Sequence, residues 1–151
     1  MKKLKQKGQA IIEFAVVLPL FVLFLFGIIY SGMLFYDYIS LSNLARSAAR
    51  EAAIVKTVDD DDTRLKYQAI GSYYEGKVTN LLTHLYEPKP EKEGDPVFKV
   101  ELKSPSGTET DPSVEVTIRM ERNVSSGLLE IILPDDYTII YFMRRDIQPA
   151  G

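Results

Sequence analysis

Hydrophobic and polar residues fall into distinct regimes along this chain. From Phe14 to Tyr36, 23 residues pass without a charge. As a helix rising about 1.5 Å per residue, this run spans roughly 34 Å, enough to cross a hydrocarbon core. The helical period continues past it. Leu41, Leu44, Ala45, Ala48, Ala52 and Val55 recur at spacings of three and four, while Arg46, Ser47, Arg50 and Glu51 fall off that stripe. The alanines give a flat, strongly helix-forming face. The pattern predicts one continuous helix from about Gln9 to Lys56, roughly 70 Å long, whose second half (37–56) is the spine of a soluble domain.

Asp59–Asp62 ends that helix, because adjacent carboxylates repel and Asp is a poor helix-interior residue. Asp62 or Thr63 then caps a second helix, expected over about 63–85, with Leu65, Ala69, Tyr73, Leu81 and Leu85 on its buried side. Gly71 and Gly76 weaken it and invite a break. After a charged linker, PKPEKEGDP, the period changes to two. Phe98, Val100 and Leu102 alternate with Lys99, Glu101 and Lys103; Val114, Val116, Ile118 and Met120 alternate with Glu115, Thr117, Arg119 and Glu121. These read as antiparallel strands with one wet face. SSGLLEIILPDD suggests a helical turn, and Tyr137–Arg145 a third strand with apolar residues on both faces. The predicted class is α+β: a long N-terminal transmembrane helix continuing into a spine packed on a small antiparallel sheet over about 97–145. The expected division is a leader at 1–8, a membrane helix at 9–36 and an extracytoplasmic domain at 37–151.

Charge sharpens this picture. The 151 residues carry a formal charge of −3, and the mean hydropathy of −0.06 averages two unlike halves. Met1–Gly8 holds Lys2, Lys3, Lys5 and Lys7 and no acid. Without it, 14 basic residues face 21 acidic ones and the charge falls to −7. An acidic exported part argues against nucleic acid, whose affinity rests on cations neutralising phosphates. The absence of cysteine excludes disulfides and thiolate metal sites. One histidine, His84, and no phosphate-binding loop or nucleophile elbow argue against an enzyme, and no cofactor or metal is expected. Asp59–Asp62 lacks the alternating spacing of a calcium loop.

The lysines lead into GQAIIEF, Gly8 to Phe14. Glu13 thus sits inside an apolar helix, where an ionised carboxylate near the bilayer centre costs roughly 2.5–3.5 kcal/mol and marks function by default. Its sequence neighbours Ile12 and Phe14 offer it no partner in its own helix. The lysines set the N-terminus in the cytoplasm, and Tyr30, Phe35, Tyr36 and Tyr38 form an aromatic belt at the far end. Pro19 removes a helix hydrogen bond and predicts a kink. Gly27, Ser31 and Gly32 permit close helix approach in lipid. A cleaved secretory signal has a shorter apolar core and a small-residue exit site. A plain signal anchor accounts for the span and the lysines, but not for Gly8 and Glu13.

Gly-(four residues)-Glu-Phe behind a basic leader resembles the processing site of prepilins of tight-adherence (Tad, or Flp) pili. GQAIIEFAVVLPL followed by SNLARSAAREAAI, and the closing YFMRRD, resemble the TadE-like family within them. The resemblance is specific over residues 8–56 and only a matter of pattern beyond. It implies a minor pilin or pseudopilin of the bacterial inner membrane, cut by a prepilin peptidase between Gly8 and Gln9. Glu13 and Phe14 become assembly residues, partnered by other Tad/Flp pilins and by assembly-platform membrane proteins. The new α-ammonium on Gln9 of one subunit is then a partner for Glu13 of its neighbour. The alternative is a signal-anchored, single-pass extracytoplasmic binding domain with no filament role.

Overall fold

A computed structural model describes residues 2–56, 59–78, 81–90, 92, 94–103, 113–124, 127, 131 and 133–145, the first seven of them by backbone alone. Two helices and four strands follow in the order α1 (Lys2–Ile54), α2 (Asp60–Glu75), β1 (Tyr86–Pro88), β2 (Phe98–Leu102), β3 (Ser113–Arg122) and β4 (Asp136–Arg144). The class is α+β. The chain divides into two compact units, Met1–Tyr36 and Asp37–Gly151.

The first unit is helix alone. From Gln9 to Gly32 every residue is exposed, including Phe14, Leu20, Phe21 and Phe24. This is the one helix among the described residues long and apolar enough to cross a membrane. The helix assignment continues across Pro19.

The second unit is built around β3. Val114, Val116, Ile118 and Met120 are all fully buried, each removal from water being worth about 1.5–3 kcal/mol. β4 pairs along one edge of β3, Ile118 opposite Ile139. The other edge is shared end to end: β2 takes its first half, Phe98 opposite Ile118, and β1 its second, Tyr86 opposite Arg122. All pairings are antiparallel. The sheet therefore has four strands, one more than the sequence suggested. Tyr86–Pro88 is too short to show alternation, and only its bonds to β3 make it a strand.

The apolar face of the sheet is covered by the second half of α1, where Leu41, Ala45, Ala48, Ala49 and Ala52 have no exposed surface. Arg46 lies over the Tyr141 ring, 5.5 Å from its centroid, which ties the spine to β4. Alanine at these positions lets a helix lie close to a sheet without a gap.

α2 differs most from expectation. Asp59 caps it, its carboxylate accepting from Asp62 N at 2.7 Å, and it ends at Gly76 rather than near 85. Thr63, Tyr67, Ile70, Gly71 and Tyr74 are buried, whereas Leu65 and Tyr73 are exposed. Within α2 the expected face is thus the wrong one, while Leu85, buried as expected, lies beyond the end of the helix. Gly71 decides this: a Cβ there would lie 2.6 Å from the Phe98 carbonyl oxygen, so only glycine lets α2 touch the β2 backbone. Gly71 is a contact point and no break. Tyr74 then stacks on Phe98, centroids 5.7 Å apart, and its hydroxyl donates to Glu51 of the spine at 3.0 Å.

Two smaller corrections concern the strands. Leu102 shares the inner face with Phe98 but is exposed, because it lies at the end of β2 beyond the cover. Glu115, expected on the wet face, is buried, since β3 has a neighbour on both sides. Lys103 reaches it at 2.9 Å and the Thr117 hydroxyl donates to it at 3.1 Å. The turn expected in SSGLLEIILPDD and the loop at 104–112 lie largely or wholly outside the described residues.

Candidate functional site

Glu13 is exposed on the surface of the first unit, with Phe14 beside it, also exposed. Its carboxylate is not alone: the Gln9 side-chain amide donates to Oε1 at 3.3 Å. This corrects the expectation of no partner within the helix. Residues four apart on a helix share a face, so Gln9 and not Ile12 or Phe14 is the relevant neighbour. The bond is long, which makes it weak. Gln9 and Glu13 are therefore one turn apart on one face, with an uninterrupted apolar surface beyond. A Cβ at Gly27 or Gly32 would meet nothing, so within the chain neither glycine serves packing. Lys2, Lys3, Lys5, Lys7 and Gly8 lie where only the backbone is described; that backbone is helical.

The second unit holds a polar centre that sequence reasoning missed. Asp37, the first charge after the apolar run, is buried. It accepts from Leu82 N and Thr83 N, both at 2.8 Å, and from the Thr83 hydroxyl at 2.6 Å. This fixes the start of the spine to the segment between α2 and β1, and holds 82–83 out of a helical conformation. A signal was available: a lone Asp four residues ahead of the fully buried Leu41 lies on the buried stripe and needs donors.

Around Asp37 lie three tyrosines. Tyr137 meets Tyr86 edge-on at 4.8 Å and Tyr38 at 6.4 Å. Burial, then the Asp37 charge, then the neighbouring tyrosines push the Tyr137 hydroxyl up to about 12. Burial also raises Tyr86, Tyr67 and Tyr74, the last helped by its bond to Glu51. The Tyr86 hydroxyl donates to the Pro134 carbonyl at 2.9 Å. The cluster is a polar clamp on the start of the spine.

The aspartate run is occupied by local structure. Asp59 caps α2, Asp61 faces Arg64 at 3.7 Å and Asp62 pairs with Lys66 at 2.8 Å. Among the described residues no group of three or more carboxylates or histidines is arranged to hold a metal. His84 is exposed.

Comparison with known proteins adds one finding. Residues 8–50 match the profile of the family described as TadE-like protein. The likeness covers 43 of the 151 residues, so it is the N-terminal part of this chain that is similar to that family. The match begins at Gly8 and contains Gln9, Glu13, Phe14, Pro19 and most of the spine, to Arg50. It supports a protein associated with the Tad pilus, and the apolar helix within it is consistent with membrane anchoring. The match stops before α2 and the sheet. No curated protein and no solved structure matches the chain.

Proposed function

We propose that this chain is a minor pilin, or pseudopilin, of a Tad-type adhesive pilus. A prepilin peptidase cuts it between Gly8 and Gln9, and it is then incorporated in the pilus or needed to build it. The observation that carries the reading is the extent of the TadE-like match. It starts at Gly8 and covers a helix in which Glu13, the one carboxylate ahead of Asp37, shares a face with Gln9. Cleavage leaves an α-ammonium on Gln9. In lipid that cation and Glu13 are each costly alone, and pairing them between neighbouring subunits offsets both costs and fixes the stagger. The Gln9 amide satisfies Glu13 only weakly before assembly, so a charged partner displaces it readily.

The chain sits in the bacterial inner membrane, N-terminus in the cytoplasm, residues 37–151 outside. Its partners are the peptidase, other Tad/Flp pilins, assembly-platform membrane proteins and lipid. It has no catalytic role and binds no nucleic acid. The test is the mass of the protein extracted from membranes of cells carrying a Tad system. Loss of the first eight residues, abolished by Gly8→Val, supports the proposal. A full-length chain in wild-type cells refutes it and leaves a signal-anchored binding domain.

A further inference from the structure

The face of α2 that the sequence marked for burial is left largely exposed, with the Lys77 ammonium lying over the Tyr73 ring, 4.1 Å from its centroid. Leu65 is 62% exposed and Tyr73 is 59% exposed, with the exposed Ala69 between them at the same spacing. A row of apolar groups four residues apart is not the scattered exposure normal for a surface. At its N-terminal end lie Asp60 and Asp61, both exposed. Elsewhere on the same unit is a groove of the opposite character. Ala53, Ile54 and Met143 line it together with Arg50, Arg144 and Glu51, and Ile54 is 76% exposed. Among the described residues Arg50 makes no ion pair.

We infer that this groove takes the exposed face of α2 from a second copy of the chain. Leu65 would enter beside Ile54 and Met143, and Asp60 and Asp61 would meet Arg50 and Arg144. The complementarity is twofold, apolar row to apolar groove and acidic end to the two arginines, and both halves belong to one polypeptide. The two surfaces are different patches, so the contact is heterologous. Each copy offers its groove to one neighbour and its α2 to the other, an arrangement that forms a ring or a filament and not a closed two-fold pair. The inference extends the pilin reading: it adds a contact outside the membrane to the Glu13 pairing within it.

The chain has no cysteine, which permits a clean test in the full-length protein in membranes. Ile54→Cys and Leu65→Cys are made as separate single-cysteine forms and oxidised mildly, alone and together. The expected result is a disulfide-linked dimer only when both are present. Arg50→Glu in the Ile54→Cys form causes its loss, and Asp61→Arg in the Leu65→Cys form restores it. Arg50 is exposed, so unchanged proteolytic resistance of the variant separates lost docking from lost folding. A dimer from either form alone means an isologous contact and overturns the proposal. So does linkage to a different protein. Absence of any link in cells where the chain is shortened by eight residues and recovered with pilins overturns this contact and leaves the pilin reading intact.

Discussion

Replacing Asp37 by alanine isolates the contribution of the buried carboxylate. In the native state its two oxygens satisfy two backbone N–H groups and one hydroxyl, at 2.6–2.8 Å, with 3% of the residue exposed. Truncation leaves these donors buried and unpaired, at about 1–3 kcal/mol for each one that finds no substitute. The Thr83 hydroxyl can rotate to another acceptor, and relief of the charge's own desolvation returns part of the loss. The expected net loss is about 3–5 kcal/mol, a large fraction of the roughly 5–15 kcal/mol typical of a domain. Asp37→Asn keeps one acceptor but sets an amide N–H against a donor, and should lose about half as much. The assay is chemical denaturation of the full chain in detergent, followed by tyrosine fluorescence. Thr83→Val is added to close a double-mutant cycle. A loss below about 1 kcal/mol for Asp37→Ala, or strict additivity with Thr83→Val, would refute the argument that this carboxylate clamps the spine to residues 82–83.

Gly71→Ala would gain about 1 kcal/mol in an open helix. Here the new Cβ meets the Phe98 carbonyl oxygen of a paired strand, and a net loss of about 1–2 kcal/mol is expected; an equal or raised melting temperature contradicts the close approach. Tyr137 stays neutral in the folded state until about 12, while an unfolded tyrosine ionises near 10, so its contribution is intact below pH 10 and is lost between pH 10 and 12. Thermal melts of the wild type should fall more steeply across that window than those of Tyr137→Phe. Glu13→Gln should insert, fold and be cut at Gly8 normally, yet co-purify poorly with other pilins and lower pilus number. Normal recovery and piliation would leave Glu13 with no role beyond its exposed bond to Gln9.

Local pattern alone identified the apolar helix, the alanine stripe of the spine and the three longer strands, because each repeats a single period for long enough to stand out. The Gly8–Glu13–Phe14 arrangement was equally legible, since it is a spacing of residue types within one helix. What sequence could not settle was choice between near-equal alternatives. α2 carries two apolar rows, Leu65–Ala69–Tyr73 and Tyr67–Ile70–Tyr74, both with helical spacing; the second is buried because Gly71 beside it lets α2 reach the β2 backbone. β1 exists only through its bonds to β3. Glu115 is buried because β3 is central, and Asp37 finds its donors 45 and 46 residues away. Periodicity reports which residues of one element share a face. Which face meets the core, and what a buried charge finds there, depends on groups distant in sequence, and only the tertiary structure brings those together.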